Sequence, residues 1–115
     1  MLLMQENATV TICHTRTLNM AEIVRQADIV VVAAGKAEAI GREYFREGQI
    51  VLDVGINWSA SKQKLVGDVD YEQVSPIVSA ISPVPAGVGS VTTAVLCMHI
   101  IEAAESTMIS LQKTT

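Results

Sequence analysis

ADIVVVAAGK at residues 27–36 and GQIVLDVGIN at residues 48–57 decide the fold of this chain. The first holds a continuous run of apolar and mostly branched side chains, and the second a similar run interrupted only by Asp53; each run ends at a glycine, Gly35 or Gly55. A strand that is buried on both faces of a parallel sheet has this composition. We therefore predict buried strands at residues 28–34 and 50–54.

The rest of the chain alternates between strand and helix patterns. We predict a strand at 8–13, a helix at 19–27 with Asn19 as its cap, a helical segment at 42–46, a loop at 58–64, a strand at 65–69, a helical turn at 71–74 and a helix from about 89 to 111. Strands that alternate with helices indicate an α/β fold with a parallel sheet.

The carboxyl ends of the predicted strands are where a ligand site is expected. Right-handed crossovers place those ends along one edge of the sheet, and open α/β sheets bind ligands there. His14, Gly35 and Gly55 each follow directly after a predicted strand. The loops that contain them are therefore expected to meet at one place.

The two ends of the chain depart from an ordinary nucleotide-binding domain. Only residues 1–7 precede the first predicted strand, and no glycine-rich phosphate loop opens the chain. The last helix is apolar on every face, so more than one sheet must cover it. We expect residues 1–115 to form a truncated domain whose helix from about 90 to 111 packs on a missing domain or a second subunit, rather than on lipid.

Composition excludes several function classes. Eight Lys and Arg against twelve Asp and Glu give a net charge of −4, whereas a nucleic-acid binder needs a basic surface. The uncharged run 74–101 contains three prolines, so no membrane span is predicted. Cys13 and Cys97 have no metal-ligand or redox spacing. Without a secretion signal they indicate free thiols in the cytoplasm.

Five segments together resemble one enzyme family. ATVTICHTRT (8–17), ADIVVVAAGK (27–36), GQIVLDVGIN (48–57), KLVGDVDYE (64–72) and ISPVPAGVGSVT (81–92) resemble the C-terminal domain of bifunctional methylenetetrahydrofolate dehydrogenase/methenyltetrahydrofolate cyclohydrolase. The resemblance implies a Rossmann-like parallel sheet flanked by helices, lacking the usual first strand and phosphate loop.

The resemblance also implies a reaction. The parent enzyme oxidises 5,10-methylenetetrahydrofolate with NADP, or in some members NAD, and hydrolyses 5,10-methenyltetrahydrofolate to 10-formyltetrahydrofolate. Its catalytic lysine lies in a Tyr-x-x-x-Lys motif that this chain lacks, because Gly48 and Ser75 occupy the fourth position after Tyr44 and Tyr71. We therefore predict no catalytic residue and no metal site here, an inactive isolated chain, folate bound through the missing domain, and a homo-oligomer.

The resemblance assigns a cofactor role to residues after the first strand. Thr15 and Arg16 stand where the adenosine ribose is met, and a cation without an acid there favours NADP. Arg16 as a plain solvated charge is the alternative. His14 either lies near the cofactor or bonds the backbone of its own loop.

Two glycine-containing loops are predicted to touch the cofactor as well. By resemblance, Ala34, Gly35 and Lys36 approach the ribose and adenine, and Gly55, Ile56 and Asn57 meet the nicotinamide amide. A plain strand-to-loop turn is the alternative at Gly35. Acidic side chains nearby are given structural or surface roles instead: Asp53 is expected to be structural, and Asp68 and Asp70 to lie at the surface.

The segment PVPAGVG at 83–89 is the most specific motif. By resemblance it lies between cofactor and folate, with Pro85, Gly87 and Val88 on the substrate side, Thr92 on the cofactor and a cis Val84–Pro85 bond. Ala86 and Ser90 replace a family glycine and proline. A positive φ at Ala86 would cost about 1 kcal/mol or more.

Two rival functions remain open on the sequence. One is a non-catalytic scaffold or nucleotide-binding module that binds only a partner chain. The other is the cofactor half of a different NAD(P)-dependent dehydrogenase, which the PVPAGVG segment disfavours. The only tryptophan, Trp58, either shelters the cofactor or covers its own loop.

Overall fold

The computed structural model describes residues 1–114, and Thr115, the last residue of the predicted domain, lies outside them. The helices are α1 (Leu2–Gln5), α2 (Met20–Gln26), α3 (Tyr71–Val74) and α4 (Val88–Thr114), and a 3-10 turn spans Arg42–Tyr44. The strands are β1 (Ile29–Val32), β2 (Ile50–Asp53), β3 (Asn57–Ser59), β4 (Lys64–Val66) and β5 (Ala80–Ile81).

A three-stranded parallel sheet in the order β1-β2-β5 confirms the predicted α/β architecture. Ile29 pairs with Ile50 and Val32 with Asp53, while Ile50 also pairs with Ala80. Continuous runs of branched apolar residues suit adjacent parallel strands. The predicted strands at 28–34 and 50–54 are therefore correct in place and direction, though each is slightly shorter.

The expectation that these strands are buried on both faces is wrong. Val51 and Val32 point into a core that also contains Phe45, Val69, Val74 and Val78. Side chains alternate across a strand, and on the other face Ile29, Val31, Ile50 and Leu52 are exposed by 58, 52, 42 and 39%. No element of residues 1–114 covers these four side chains, which we call the open sheet face.

The predicted strand at 8–13 does not form. These residues precede α2 but pair with no strand among residues 1–114, and nearly all of them are exposed. A strand needs a hydrogen-bonded neighbour, which alternation of β-branched residues does not supply. The alternation at 8–13 indicates a preference for the strand conformation, but residues 1–114 contain no strand that pairs with it.

An antiparallel hairpin replaces the predicted loop at 58–64 and strand at 65–69. β3 pairs with β4 through Trp58 and Leu65, separately from the parallel sheet. Residues 67–70 continue past β4 as an irregular segment that forms one parallel bridge, between Ile40 and Val69. The predicted run was apolar enough for a strand, but its second half makes backbone bonds to a loop.

α2 is anchored by a buried glutamine, and not by the predicted cap. Asn19 precedes the helix in a left-handed conformation, and its side chain caps nothing. The side-chain amide of Gln49 instead donates to the carbonyl oxygens of Val24 (2.8 Å) and Ala27 (2.7 Å) at the other end. The predicted helical segment at 42–46 shortens to the 3-10 turn, and the turn at 71–74 is confirmed as α3.

α4 confirms the predicted long helix and extends it to Thr114. None of its residues is buried by the rest of the chain. Within the described residues it is the one helix long and apolar enough to cross a bilayer, with a mean hydropathy of 1.4. The prediction of no membrane span rested on the three prolines in the run 74–101. α4 begins after those prolines, so they do not interrupt it.

Candidate functional site

Three loops meet at the carboxyl edge of the parallel sheet, two of them the predicted loops with Gly35 and Gly55; the third follows β5, and the prediction that the His14 loop joins them is wrong. They follow β1, β2 and β5, and each strand end bonds its neighbour: the N–H of Val54 donates to the oxygen of Val32 (2.9 Å), and that of Ser82 to the oxygen of Val51 (3.0 Å). Parallel register fixes this convergence, because all three chains leave the sheet on the same side.

The carboxylate of Asp68 holds the loop after β1. One oxygen accepts from the N–H groups of Ala34 (2.6 Å) and Gly35 (2.7 Å), and the other from the N–H of Lys36 (3.0 Å) and the side-chain amide of Asn57 (2.8 Å). Asp68 is fully buried. It therefore joins the loops after β1 and β2, and the prediction that it lies at the surface is wrong.

A second buried carboxylate holds the segment that carries Asp68. Asp53, at the end of β2, accepts from the N–H groups of Gly55 (3.0 Å), Asp68 (3.1 Å) and Val69 (2.9 Å). A Cβ atom at Gly67 would overlap the Asp53 carboxylate. The predicted structural role of Asp53 is confirmed, and the glycine is needed for the close approach.

The environment of Asp68 favours its ionised form. Burial by itself raises the pKa of this carboxyl, but hydrogen bonds from Asn57, Gly35, Ala34 and Lys36 act in the opposite direction and prevail. The pKa of Asp68 therefore lies below its ordinary value of 3.8. A carboxylate can accept all four donors at once, which no neutral side chain does. Asp70, by contrast, is only partly buried and accepts from Gln73 at the start of α3.

A cleft of about 280 Å³ opens between the loops after β2 and β5. It brings together five residues predicted for the cofactor or substrate: Gly55, Ile56, Pro85, Gly87 and Val88. Its remaining lining is Asp53, Val54, Pro83, Val84, Ala86, Gly89, Ser90 and Thr93. Thr92 lies outside this lining, and its hydroxyl donates to the oxygen of Val88 (3.0 Å).

The wall of the cleft formed by residues 83–89 has the predicted backbone. The Val84–Pro85 bond is cis, and Ala86 has a φ of 68°, in the left-handed region where glycine is favoured. A Cβ atom on Gly87 would overlap the carbonyl oxygen of Pro83. The substitution of Ala for glycine at position 86 thus falls on a strained position, as the sequence anticipated.

Residues 1–108 match the family model described as tetrahydrofolate dehydrogenase/cyclohydrolase, NAD(P)-binding domain. The chain belongs to this family. Among curated relatives, the bifunctional protein FolD of Carboxydothermus hydrogenoformans is 54% identical over 105 residues and that of Clostridium botulinum strain Hall 56%. The matches cover 90% and 91% of this chain. The chain spans 37% of the length of these relatives.

Solved structures of the dehydrogenase/cyclohydrolase family share the fold. The bifunctional enzyme from Campylobacter jejuni superimposes with a TM-score of 0.85 at 44% identity, covering 91% of this chain and 37% of that one. The enzyme from Trypanosoma brucei, solved with NADP and an inhibitor, has a TM-score of 0.68 at 41% identity and covers 79% and 33%.

The remaining predicted residues of the dehydrogenase/cyclohydrolase domain sit in two places. Ala34, Gly35, Lys36 and Asn57 are gathered by Asp68. His14, Thr15 and Arg16 form an exposed turn before α2, where the ring Nδ1 of His14 accepts from the N–H of Arg16 (3.1 Å). No hydrogen bond or ion pair within residues 1–114 joins this turn to the other two loops. His14 thus fixes its own loop, which is the structural alternative.

Sequence reasoning missed three residues of the family site. Ser90 and Thr93 line the cleft, one helical turn apart, and the i, i+3 spacing from the start of the predicted helix was the available signal. Asp68 holds the loops together, but its partners at 34–36 lie 32 to 34 positions away in the sequence. Only the valine-rich surroundings of this acid hinted that it was buried.

A second hollow lies on the far side of Asp53, between the hairpin and α3. Its volume is about 210 Å³, and Lys62, Lys64, Glu38 and Glu72 are among the residues that line it. Lys62 pairs with Glu38, and Glu72 lies 3.8 Å from Lys62 and 4.0 Å from Lys64. These charges satisfy one another, so the hollow offers little to a charged ligand.

Proposed function

We propose that this chain is the cofactor-binding domain of a folate-pathway enzyme that uses NADP. The whole enzyme oxidises 5,10-methylenetetrahydrofolate and hydrolyses 5,10-methenyltetrahydrofolate to 10-formyltetrahydrofolate. The family match over residues 1–108 carries the proposal. The meeting of three loops at the carboxyl edge of the sheet, two of which line one cleft, supports it independently.

The cleft fits one end of a dinucleotide. Its volume of about 280 Å³ lies just below the range of about 300–1,000 Å³ for ligand pockets, which suits a single ring and its ribose. Gly55 and Gly87 line the cleft with backbone atoms only, because they have no side chains. NADP supplies the hydride acceptor of the oxidation, and the protein supplies position and surroundings.

The chain's own residues orient the cofactor. The backbone of Gly55, Ile56 and Asn57 meets the nicotinamide amide, and Pro85, Gly87 and Val88 form the wall toward folate. Thr15 and Arg16 face the ribose, where a cation without a carboxylate favours the extra phosphate of NADP over NAD. The Arg16 side chain makes no ion pair within residues 1–114, which leaves its charge available.

The uncovered apolar surfaces support a domain that packs against another protein surface. We propose that residues 1–115 are a truncated NAD(P)-binding domain in which the helix from about 90 to 111 packs on another domain or a second subunit. The open sheet face and α4, none of whose residues is buried, present large apolar areas that water disfavours. Folate would bind to the other domain, and a homo-oligomer would assemble through these surfaces.

The cytoplasm is the compartment proposed for this enzyme, with neither nucleic acid nor a membrane as a partner. Cys13 and Cys97 are free thiols, which suits a reducing compartment. The acidic balance of −4 opposes nucleic acid. The charged residues Glu102, Glu105 and Lys113 in the second half of α4 favour a protein surface over lipid.

Titration of the chain with NADPH and with NADH tests the proposal. Trp58 in β3 directly follows Ile56 and Asn57, so its fluorescence should respond to a bound nicotinamide. Saturable binding in the micromolar range, tighter for NADPH, is the expected result. The same chain should show neither dehydrogenase nor cyclohydrolase activity. Absence of binding up to millimolar NADPH would instead identify a scaffold module that holds only a partner chain.

A further inference from the structure

We propose that Asp53 and Asp68 act in series as positioning residues that fix the loop at 34–36 with its carbonyl oxygens outward. This inference deepens the proposed function and rests on it for the identity of the ligand. It assigns to the loop a surface that accepts hydrogen bonds, and so a ligand group that donates them, such as a ribose hydroxyl or an adenine amino group.

The first step is the direction of the peptide planes. The N–H groups of Ala34, Gly35 and Lys36 all donate to the Asp68 carboxylate. Among residues 1–114 one peptide bond is cis, and it lies elsewhere. In a trans peptide the C=O points opposite to the N–H. The carbonyls of Ala33, Ala34 and Gly35 therefore point away from Asp68.

The chemical consequence is a loop without spare donors. Its three consecutive N–H groups are committed to Asp68, so they are not available to bind a phosphate. A buried negative charge behind the loop further disfavours an anion. Donor groups of a nucleoside are the complementary ligands, and cofactor phosphates must be held elsewhere.

The second step is that Asp53 fixes Asp68. Asp53 accepts from the N–H groups of Asp68 and Val69, on either side of one peptide, and from Gly55. Neither carboxylate forms an ion pair within the described residues, so N–H dipoles alone stabilise both charges. Asp53 has no hydrogen bond to residues 34–36, and its influence on them must pass through Asp68.

Amide hydrogen exchange and NADPH titration of four variants test the series. The variants are Asp68→Asn, Asp53→Asn, the double variant, and Asp70→Asn as the matched control from the same segment. All are compared where circular dichroism shows them folded, with exchange in β2 as the internal reference. Asp68→Asn should speed exchange at residues 34–36 about tenfold, because charge-assisted bonds are lost.

The decisive variant is Asp53→Asn. It should also speed exchange at 34–36 and weaken NADPH binding severalfold. The double variant should add little to Asp68→Asn, because Asp53 acts through it. Asp70→Asn should change neither quantity. Unchanged exchange at 34–36 in Asp53→Asn, or additive effects in the double variant, overturns the inference. If the variants show this exchange pattern but the wild-type chain binds no NADPH, the proposed function is overturned and the positioning role of the two carboxylates stands.

Discussion

Gly55 lies so close to the carboxylate of Asp68 that a Cβ atom at position 55 would overlap it. The same glycine donates its N–H to Asp53. One residue without a side chain thus lies between two buried carboxylates, and its backbone borders the cleft. The absence of a side chain at position 55 is a packing requirement, because its φ lies outside the left-handed region.

Gly55→Ala should lower the free energy of unfolding by about 2–3 kcal/mol, as overpacking does in a filled core. The methyl group must displace the Asp68 carboxylate, which then loses bonds to residues 34–36. Urea denaturation followed by circular dichroism measures the change. Gly89→Ala is the control, because a Cβ there meets nothing within 4 Å and the residue lies in α4.

The control variant should be slightly more stable than wild type, by about 0.5–1 kcal/mol, because alanine suits a helix better than glycine. Equal stability of Gly55→Ala and wild type would show that Asp68 moves aside freely. In that case the tight packing around the two carboxylates would contribute nothing to the free energy of unfolding.

The lowered pKa of Asp68 predicts how stability depends on pH. A carboxyl whose pKa is lower in the folded than in the unfolded chain stabilises the fold above its unfolded pKa. That contribution is lost as pH falls from the ordinary value of 3.8 through the folded pKa. Wild type should therefore lose stability in this acid range relative to Asp68→Asn, measured by urea unfolding at successive pH values.

Asp28→Asn is the control for this pH dependence. The Asp28 side chain is fully exposed, 3.5 Å from Arg46. Exposed pairs contribute little, so its curve should run parallel to wild type. If Asp68→Asn also runs parallel to wild type, the hydrogen bonds to Asp68 do not favour its charged form.

The local sequence pattern predicted two strands of the parallel sheet and the edge where the loops meet. The features that it did not predict depend on contacts between residues far apart in the sequence. The runs at 29–32 and 50–52 are apolar throughout, so their strand type and parallel pairing follow from composition. Residues 8–13 have an equally clear pattern, but residues 1–114 offer them no strand to pair with. Asp68 looked like a surface acid, since its donors at 34–36 are remote in sequence.

Ala86→Gly should stabilise the protein modestly. Ala86 has a φ of 68°, and a left-handed conformation costs a residue with a Cβ about 1–2 kcal/mol. Glycine removes that cost but adds about 0.5–1 kcal/mol of chain entropy to the unfolded state. A net gain of about 0.5–1 kcal/mol is expected from thermal unfolding.

Ala60→Gly is the matched control for this substitution. Ala60 is also exposed and lies in the hairpin turn, but its φ is not positive. The same replacement there should lower stability, because only the entropic term remains. A loss of stability in both variants would mean that the backbone at 86 carries no strain.

Arg16→Gln tests the cofactor preference on the first loop. The variant should weaken NADPH binding about tenfold, because a charge-assisted contact to phosphate is lost. NADH, which lacks that phosphate, should bind as before. Arg42→Gln removes the same charge from the exposed 3-10 turn and should leave both affinities unchanged. Equal losses for NADPH and NADH would place Arg16 away from the extra phosphate.

The exposed helix α4 predicts that the isolated chain associates with itself. Ile100 and Ile101 are exposed by 61 and 58%, and burying such a side chain contributes about 1.5–3 kcal/mol. Ile100→Lys should therefore weaken association at least about tenfold in sedimentation equilibrium, since 1.4 kcal/mol corresponds to that factor. Ser110→Lys adds the same charge at a polar position of α4 and should change the association constant less. A chain that stays monomeric at high concentration, with α4 helical, would show that another domain and not a second copy covers this surface.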